Sequence, residues 1–304
     1  MKKGLFVAGS AMLFLLSACK EIGPAIDFTP KNTDTSFKER AFDTTYTEAA
    51  PAPQAKKILI EEYTGVQCPN CPAGATILKN YDAAHPDKIV IVALHSGSLT
   101  DKIPNKSKYY FANNDVQNMI NNYLGGNVNA KPAASVDRLQ QGSGIFMVNK
   151  NQWTTVIDQR STATSPVNLS VTSRYDSAYK KVVVRVKVVY NTQVTKKQNL
   201  SVWLLESKII DAQYDGTITI DAYEHNHVFR DFITPVGIGT SILDSIAVKQ
   251  PGLVYETQLI YEPKFFSNVE LDKWDLDNCH IVAVVHNDEQ GDKEVAQVVE
   301  VPLK

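Results

Sequence analysis

Cysteine is scarce in this chain of 304 residues, with four copies at positions 19, 68, 71 and 279. So few exclude a disulfide-dense secreted scaffold. Zinc is also poorly served, because the single C-x-x-C has no second C-x-x-C or H-x-x-x-H to complete four ligands. Net charge is nearly absent at −2, which leaves no basic footprint for a nucleic-acid partner. Beyond Cys19 no apolar run is long enough to span a bilayer as a helix. G-x-S-x-G, P-loop and dinucleotide-binding patterns are missing too, so hydrolase and nucleotide readings have no support and no cofactor is expected.

What is present is an apolar content of 43% with 21% charged residues, enough to pack the cores of two ordinary domains. The N-terminus sets the compartment. Lys2 and Lys3 precede an apolar stretch from Leu5 to Leu16, and small residues lead to Cys19. That stretch is too short to cross a membrane and reads as a signal peptide over residues 1–18. Leu16-Ser17-Ala18-Cys19 resembles a bacterial lipobox, which implies that Cys19 becomes the lipidated first residue of the mature chain. The alternative is an ordinary secretory signal with an incidental cysteine. A lipid on Cys19 would make the membrane a partner and tie the chain to the cell envelope. Residues 19–55 are polar and broken by Pro24, Pro30, Pro51 and Pro53, the composition of a flexible tether. Weak alternation from Ala41 to Thr47 allows one short strand within it.

The most informative stretch runs from Ile58 to Gly74, ILIEEYTGVQCPNCPAG. It begins as β-formers, breaks at Thr64-Gly65, delivers Cys68 and Cys71, and continues with Ala75, Leu78 and Tyr81 at helical spacing. Two cysteines three apart at a strand-to-helix junction suit a redox pair. Cys68 is expected at the helix N-terminus, where unpaired N–H groups favour thiolate, with Cys71 one turn along. A plain staple and half of a zinc site are the other readings. In an oxidising envelope compartment the local partner for Cys68 is Cys71. Strand alternation puts Glu62 on the same face as Ile60, and Glu61 on the other.

Residues 56–163 continue with an apolar run from Lys88 to Leu94, as in a buried parallel strand, and a helical pattern through Tyr109, Val116, Met119 and Tyr123. A short strand opens at Pro132, Ile145 to Val148 forms a further run, and a final helix carries Trp153, Val156 and Ile157 with Asn149 as its cap. The order β-α-β-α-β-β-α resembles a thioredoxin-like domain. That resemblance implies that Cys68 is the exposed nucleophile, Cys71 the resolving thiol, Pro132 a cis-proline facing them, and Glu62 the buried carboxylate that moves a proton to and from Cys71. The other reading of Glu62 is an exposed edge carboxylate. Gln67 stands where that family usually has tryptophan, Lys131 precedes the proline, and residues 96–115 are an insertion.

From Pro166 the pattern changes. Seven short strand-like runs between Val167 and Val301, separated by polar turns, suggest an immunoglobulin-like β-sandwich over residues 166–304. The expected fold class is therefore an α/β thioredoxin-like domain followed by an all-β sandwich. Within the second part, His225 and His227 are two apart and on a strand would share a face, as a metal site requires. No third ligand stands near them in sequence, so a hydrogen-bonded surface cluster is the plainer reading. Cys279 reads as a buried small hydrophobe.

Taken together, the Leu16–Cys19 lipobox, EEYTGVQCPNCPAG at Glu61 to Gly74 and HNHVFR at His225 to Arg230 resemble the 28-kDa outer-membrane-protein-related lipoprotein family. The resemblance implies an outer-membrane, lipid-anchored protein, displayed on the periplasmic side or the surface. Two functions are consistent with it. One is thiol–disulfide exchange on envelope protein substrates. The other is a surface binding or adhesion protein, engaging a surface ligand, in which the C-x-x-C is only a structural disulfide.

Overall fold

A computed structural model of the protein describes residues 37–126, 128, 130–142, 144–263 and 274–304. The expected signal peptide, the lipidation candidate Cys19 and the expected tether up to residue 36 lie outside the described residues. Strand β1 (Phe42–Thr47) forms where the weak alternation allows it. It is followed by β2 (Ile58–Thr64), every residue of which is buried, as a run of β-branched and aromatic residues requires of a central strand. Helix α1 (Cys71–Ala84) crosses to β3 (Ile89–His95), which lies parallel to β2. Helix α2 (Asn114–Asn118), capped by the Asn113 side chain, runs into a π-turn at Met119–Tyr123. Strand β4 (Ala133–Val136) then returns antiparallel to β2. Helix α3 (Trp153–Arg160) follows a 3-10 turn in which the Asn149 side chain accepts from the Asn151 N–H.

The rest of the chain is strand. It comprises β5 (Val167–Asp176), β6 (Lys181–Tyr190), β7 (Gln198–Glu206), β8 (Ile209–Tyr214), β9 (Thr219–His225), β10 (Val228–Phe232), β11 (Thr240–Ile242), β12 (Leu253–Tyr261), β13 (Cys279–Asn287) and β14 (Val295–Pro302). Strands β1, β12, β6 and β5 make a four-stranded antiparallel sheet. In β6 Arg185 and Lys187 point to the outer face, while Val184, Val186 and Val188 are buried.

The expected fold class does not form. The chain is mostly β, with mixed and antiparallel sheets, and α1, α2 and α3 are the α-helices among the described residues. An α/β thioredoxin-like domain followed by a separate sandwich is corrected by the strand order of the large sheet, β14-β13-β7-β10-β3-β2-β4. Strands β2, β3 and β4 share this sheet with four strands from the later half. The junction is β10, parallel to β3 at Val228 and Ala93 and antiparallel to β7 on its other side. The Ala93 N–H donates to the His227 carbonyl at 2.8 Å, so β3 has a neighbour on each side, β2 and β10. Periodicity shows that both strands exist but carries no information about which distant strand pairs with which.

Residues 39–304 form one compact unit. Paired residues share a face, so Glu62, Ala93, Val228, Glu206 and Cys279 lie in one line across the large sheet. Near β2 and β4 that face is covered by α1 and α3, through Leu78, Tyr81, Trp153 and Ile157. Near β7 and β13 the same face meets the four-stranded sheet, with Leu200, Val202, Leu204 and Ile281 against Val184, Val186 and Val188. Each such fully buried aliphatic side chain contributes about 1.5–3 kcal/mol. The opposite face packs Leu59, Val92, Trp203 and Phe229 beneath Val116, Met119 and Ile120.

Candidate functional site

Strand β2 ends at Thr64, and Gly65 follows because the chain passes tightly under another segment. A Cβ there would sit 2.3 Å from the Leu99 carbonyl oxygen. The turn closes with the Cys68 N–H donating to Gly65 O at 3.0 Å. Helix α1 starts at Cys71, not at Cys68 as the spacing suggested. Cys68 instead belongs to the turn before the helix, its N–H closing onto Gly65 and its carbonyl accepting the Cys71 N–H at 3.3 Å. Pro72, in the first helical turn, lacks only an N–H that has no intrahelical partner there.

Cys68 and Cys71 form a disulfide, and neither is open to solvent: Cys68 is 0% exposed and Cys71 2%. The expected solvent-facing Cys68 is therefore covered, and the cover is the β8–β9 hairpin, which the strand-like runs of the sequence did not include. The Tyr214 N–H donates to Val66 O at 2.8 Å. The buried Gln213 amide donates to Gly65 O at 3.2 Å and Cys68 O at 3.3 Å. At the hairpin tip, Gly216 (φ 94°) lies against Pro69, where an added Cβ would meet the proline ring at 3.2 Å.

Pro132 is buried, the Lys131–Pro132 peptide is cis, and the proline packs against α1 at Gly74. A Cβ on Gly74 would meet Pro132 at 3.2 Å and Trp153 at 3.0 Å, so glycine is what allows the helix to approach. The Lys131 ammonium donates to the carbonyls of Ser96 and Ser98, and burial lowers its pKa to about 8.

Glu62 is 4% exposed, and its Oε1 has no hydrogen-bond partner among the described residues. Burial alone raises its pKa to about 8, so it carries a proton at neutral pH. It shares a cavity of about 40 Å³ with Cys71, His95 and His225, large enough for one water. It also lines a cavity of about 440 Å³ along α1. His95 ends β3 and is held neutral chiefly by burial, then by the nearby His225, Lys131 and Arg230. Its Nδ1, like Nε2 of His225, is buried without a partner among the described residues. Burial also lowers the His225 pKa to about 4. Phe111, from the insertion, packs against both rings at 5.1 and 4.9 Å, and the two rings meet each other at 6.2 Å.

His225 and His227 do not share a strand face. Strand β9 ends at His225, and His227 sits in a left-handed turn at φ 55°. Among the described residues no group of three or more histidine, cysteine, aspartate or glutamate side chains is arranged to hold a metal ion. Cys279 is buried on β13, and desolvation pushes its thiol pKa up. The structure thus gathers Cys68, Cys71, Glu62 and Pro132 around the start of α1, and adds His95, His225 and Gln213. A histidine closing an apolar run was a visible signal for His95. Nothing in the sequence marked Gln213.

The sequence profile of the family described as outer membrane protein Omp28 matches residues 117–304. None of the curated proteins matches the chain. Among solved structures the fold is similar to HBP35 of Porphyromonas gingivalis, at 15% identity and a TM-score of 0.59, over 85% of this chain and 77% of that one. A crystal structure of a protein from Agrobacterium tumefaciens aligns at 11% identity and a TM-score of 0.49, over 83% of this chain and 97% of that one.

Proposed function

The chain belongs to the outer membrane protein Omp28 family, and on that premise we propose that it is a lipoprotein anchored through Cys19 whose Cys68–Cys71 pair exchanges disulfides with other envelope proteins. The observation that carries this reading is Glu62. A carboxyl group buried without a partner destabilises the fold, and a structural staple has no use for one. Beside Cys71 it has a chemical use.

In the oxidised protein a substrate thiolate attacks Cys68 Sγ, the Cys68–Cys71 bond breaks, and a mixed disulfide forms at Cys68. Cys71 departs as a thiolate and takes the Glu62 proton, directly or through one water in the small cavity. A second substrate thiolate then attacks the substrate sulfur of the mixed disulfide. Cys68 leaves, the substrate dithiol becomes a disulfide, and the protein becomes a dithiol. The reverse sequence reduces a substrate disulfide, with Glu62 accepting the Cys71 proton. In either direction the β8–β9 hairpin must lift, because Cys68 is covered.

The test is trapping in cells. Cys71→Ser should accumulate mixed disulfides with envelope proteins through Cys68, while Cys68→Ser should accumulate few. No trapped species from either variant would remove the exchange reading. The complete burial of both cysteines favours a second reading, a surface binding protein in which the disulfide only ties the loop to α1. That reading predicts a reduction potential below about −300 mV, as for structural disulfides. The lipid anchor is tested separately: Cys19→Ser should release the chain from the membrane fraction.

A further inference from the structure

The larger cavity that Glu62 lines, about 440 Å³, has the size of a small-molecule site rather than of a packing defect. Its lining is divided. Leu78 and Ile91, both buried, give it an apolar floor, and Ala75 continues that side along α1. Among its carboxyl and ammonium groups the acids predominate: Asp82 and Glu224 line it with Glu62, against one ammonium from Lys79. His227 also lines it and is kept neutral, chiefly by burial. The buried Oε1 of Glu62, without a partner among the described residues, is the observation that points to a ligand.

The chemistry of that lining selects among ligands. An anion would face three carboxyl groups and a single cation. A purely apolar molecule would fill the floor and leave Glu62 without a partner. An amine with an apolar body satisfies both parts. We propose that this cavity binds a small primary amine as its ammonium ion, the ammonium donating to Glu62 and the apolar body lying on Leu78, Ile91 and Ala75. On binding, the proton of Glu62 passes to the solvent or to the incoming free amine, so the bound pair is ammonium and carboxylate. Asp82 and Glu224 attract the cation and draw it in from solvent. The site shares Glu62 with the exchange step, but the binding of the amine is measured without any exchange of the disulfide.

Calorimetric titration of the full chain in detergent with 2-phenylethylamine tests the proposal, with 2-phenylethanol and 3-phenylpropionate as neutral and anionic comparators. The amine should bind at least tenfold more tightly than the alcohol, and the acid should not bind. Glu62→Gln should weaken the amine tenfold or more and leave the alcohol unchanged. Thr76→Trp, at an exposed position on the cavity lining, should block all binding without touching Glu62 or the buried core, and it keeps the test decisive if the glutamine variant folds poorly. Equal binding of amine and alcohol, or amine binding that survives Thr76→Trp, would overturn the assignment.

Discussion

The two faces of β2 bury acids of the same kind one residue apart and treat them oppositely. Glu61 faces Trp203 and the α2 side, where Arg138 donates to it at 2.7 Å with both side chains fully buried, and Ser135 donates at 2.7 Å. Glu62 faces α1, where its Oε1 has no partner among the described residues. The pattern extends along the sheet. Glu206, on the same line as Glu62, receives Arg230 at 2.8 Å and the Asp275 N–H at 2.8 Å. Asp137 at the end of β4 holds Lys56 at 2.9 Å and Arg160 at 2.6 Å. A chain that supplies partners to its other buried acids has the means to satisfy Glu62 as well. Leaving it open beside Cys71 separates the parts of this sheet that specify the fold from the part that is free for chemistry.

The contrast is broken most severely on the satisfied side. Arg138→Ala should destabilise the protein by about 3–5 kcal/mol, because it strands the Glu61 charge in a fully buried site. Chemical denaturation followed by tryptophan fluorescence measures it. Replacing both residues by leucine and methionine should recover most of that loss, since a buried pair is often no better than well-packed apolar groups. A double variant as unstable as the single one would mean that the pair has a role beyond mutual neutralisation.

On the open side the expected change is stabilising and depends on pH. Glu62 has a folded pKa of about 8 against an ordinary 4.5. Between those values the folded chain holds a proton that the unfolded chain has released, so its contribution to stability falls as pH rises through this window. The full loss amounts to at most about 5 kcal/mol, reached above pH ~8. Glu62→Gln should therefore match the parent near pH 4.5 and exceed its stability increasingly toward pH 8.5. Urea unfolding at several pH values reads this directly, and parallel curves for the two proteins would mean that Glu62 is solvated or paired.

How much of this contrast the sequence carried follows from which facts are local. Alternation from Ile58 assigned Glu61 and Glu62 to opposite faces, and β2, α1 and β3 fall close to where periodicity set them. Seven strand-like runs after Pro166 correspond to strands. The partner of Glu61 was not legible, because Arg138 reaches it through strand pairing between β2 and β4. The joining of the two halves failed for the same reason: Val228 and Ala93 meet through the fold alone. Strand β8 was missed because its buried positions include the polar Asp211 and Gln213, and β9 because most of its residues are partly or fully exposed. Missing them hid the burial of the disulfide, and with it the expectation for Cys68.

The histidines sharpen the comparison from the acidic side. Burial holds the His225 pKa at about 4, against an ordinary 6.5. As pH falls below 6.5 the unfolded chain takes up a proton that the folded one refuses, so stability is lost progressively down to pH ~4. For His225 this amounts to about 3 kcal/mol. The loss runs opposite to that of Glu62, which is relieved over the same acid range. Glu62→Gln removes the compensation and should steepen the acid limb, while His225→Gln should flatten it. Thermal unfolding from pH 4 to 7 distinguishes the two, and a His225→Gln profile identical to the parent would mean that the imidazole is protonated in the folded protein.

The smallest expected effect concerns the cover itself. Gln213 is buried and its amide bridges the hairpin to the Gly65 and Cys68 carbonyls. Removing it in Gln213→Ala deletes these bonds at a typical cost of about 1 kcal/mol, or somewhat more if the carbonyls stay dry. If the hairpin opens locally before a reductant reaches the sulfurs, that loss makes the open state roughly fivefold to tenfold more populated. The rate at which a small phosphine reduces the disulfide should rise by the same factor. Ile210→Ala, an exposed position on the same hairpin, should leave the rate unchanged. A Gln213→Ala rate equal to that of the parent would mean that reductant reaches the bond without the hairpin moving. The burial of Cys68 would then be no barrier to exchange, and the contrast between a closed fold-specifying face and a gated chemical one would reduce to Glu62 alone.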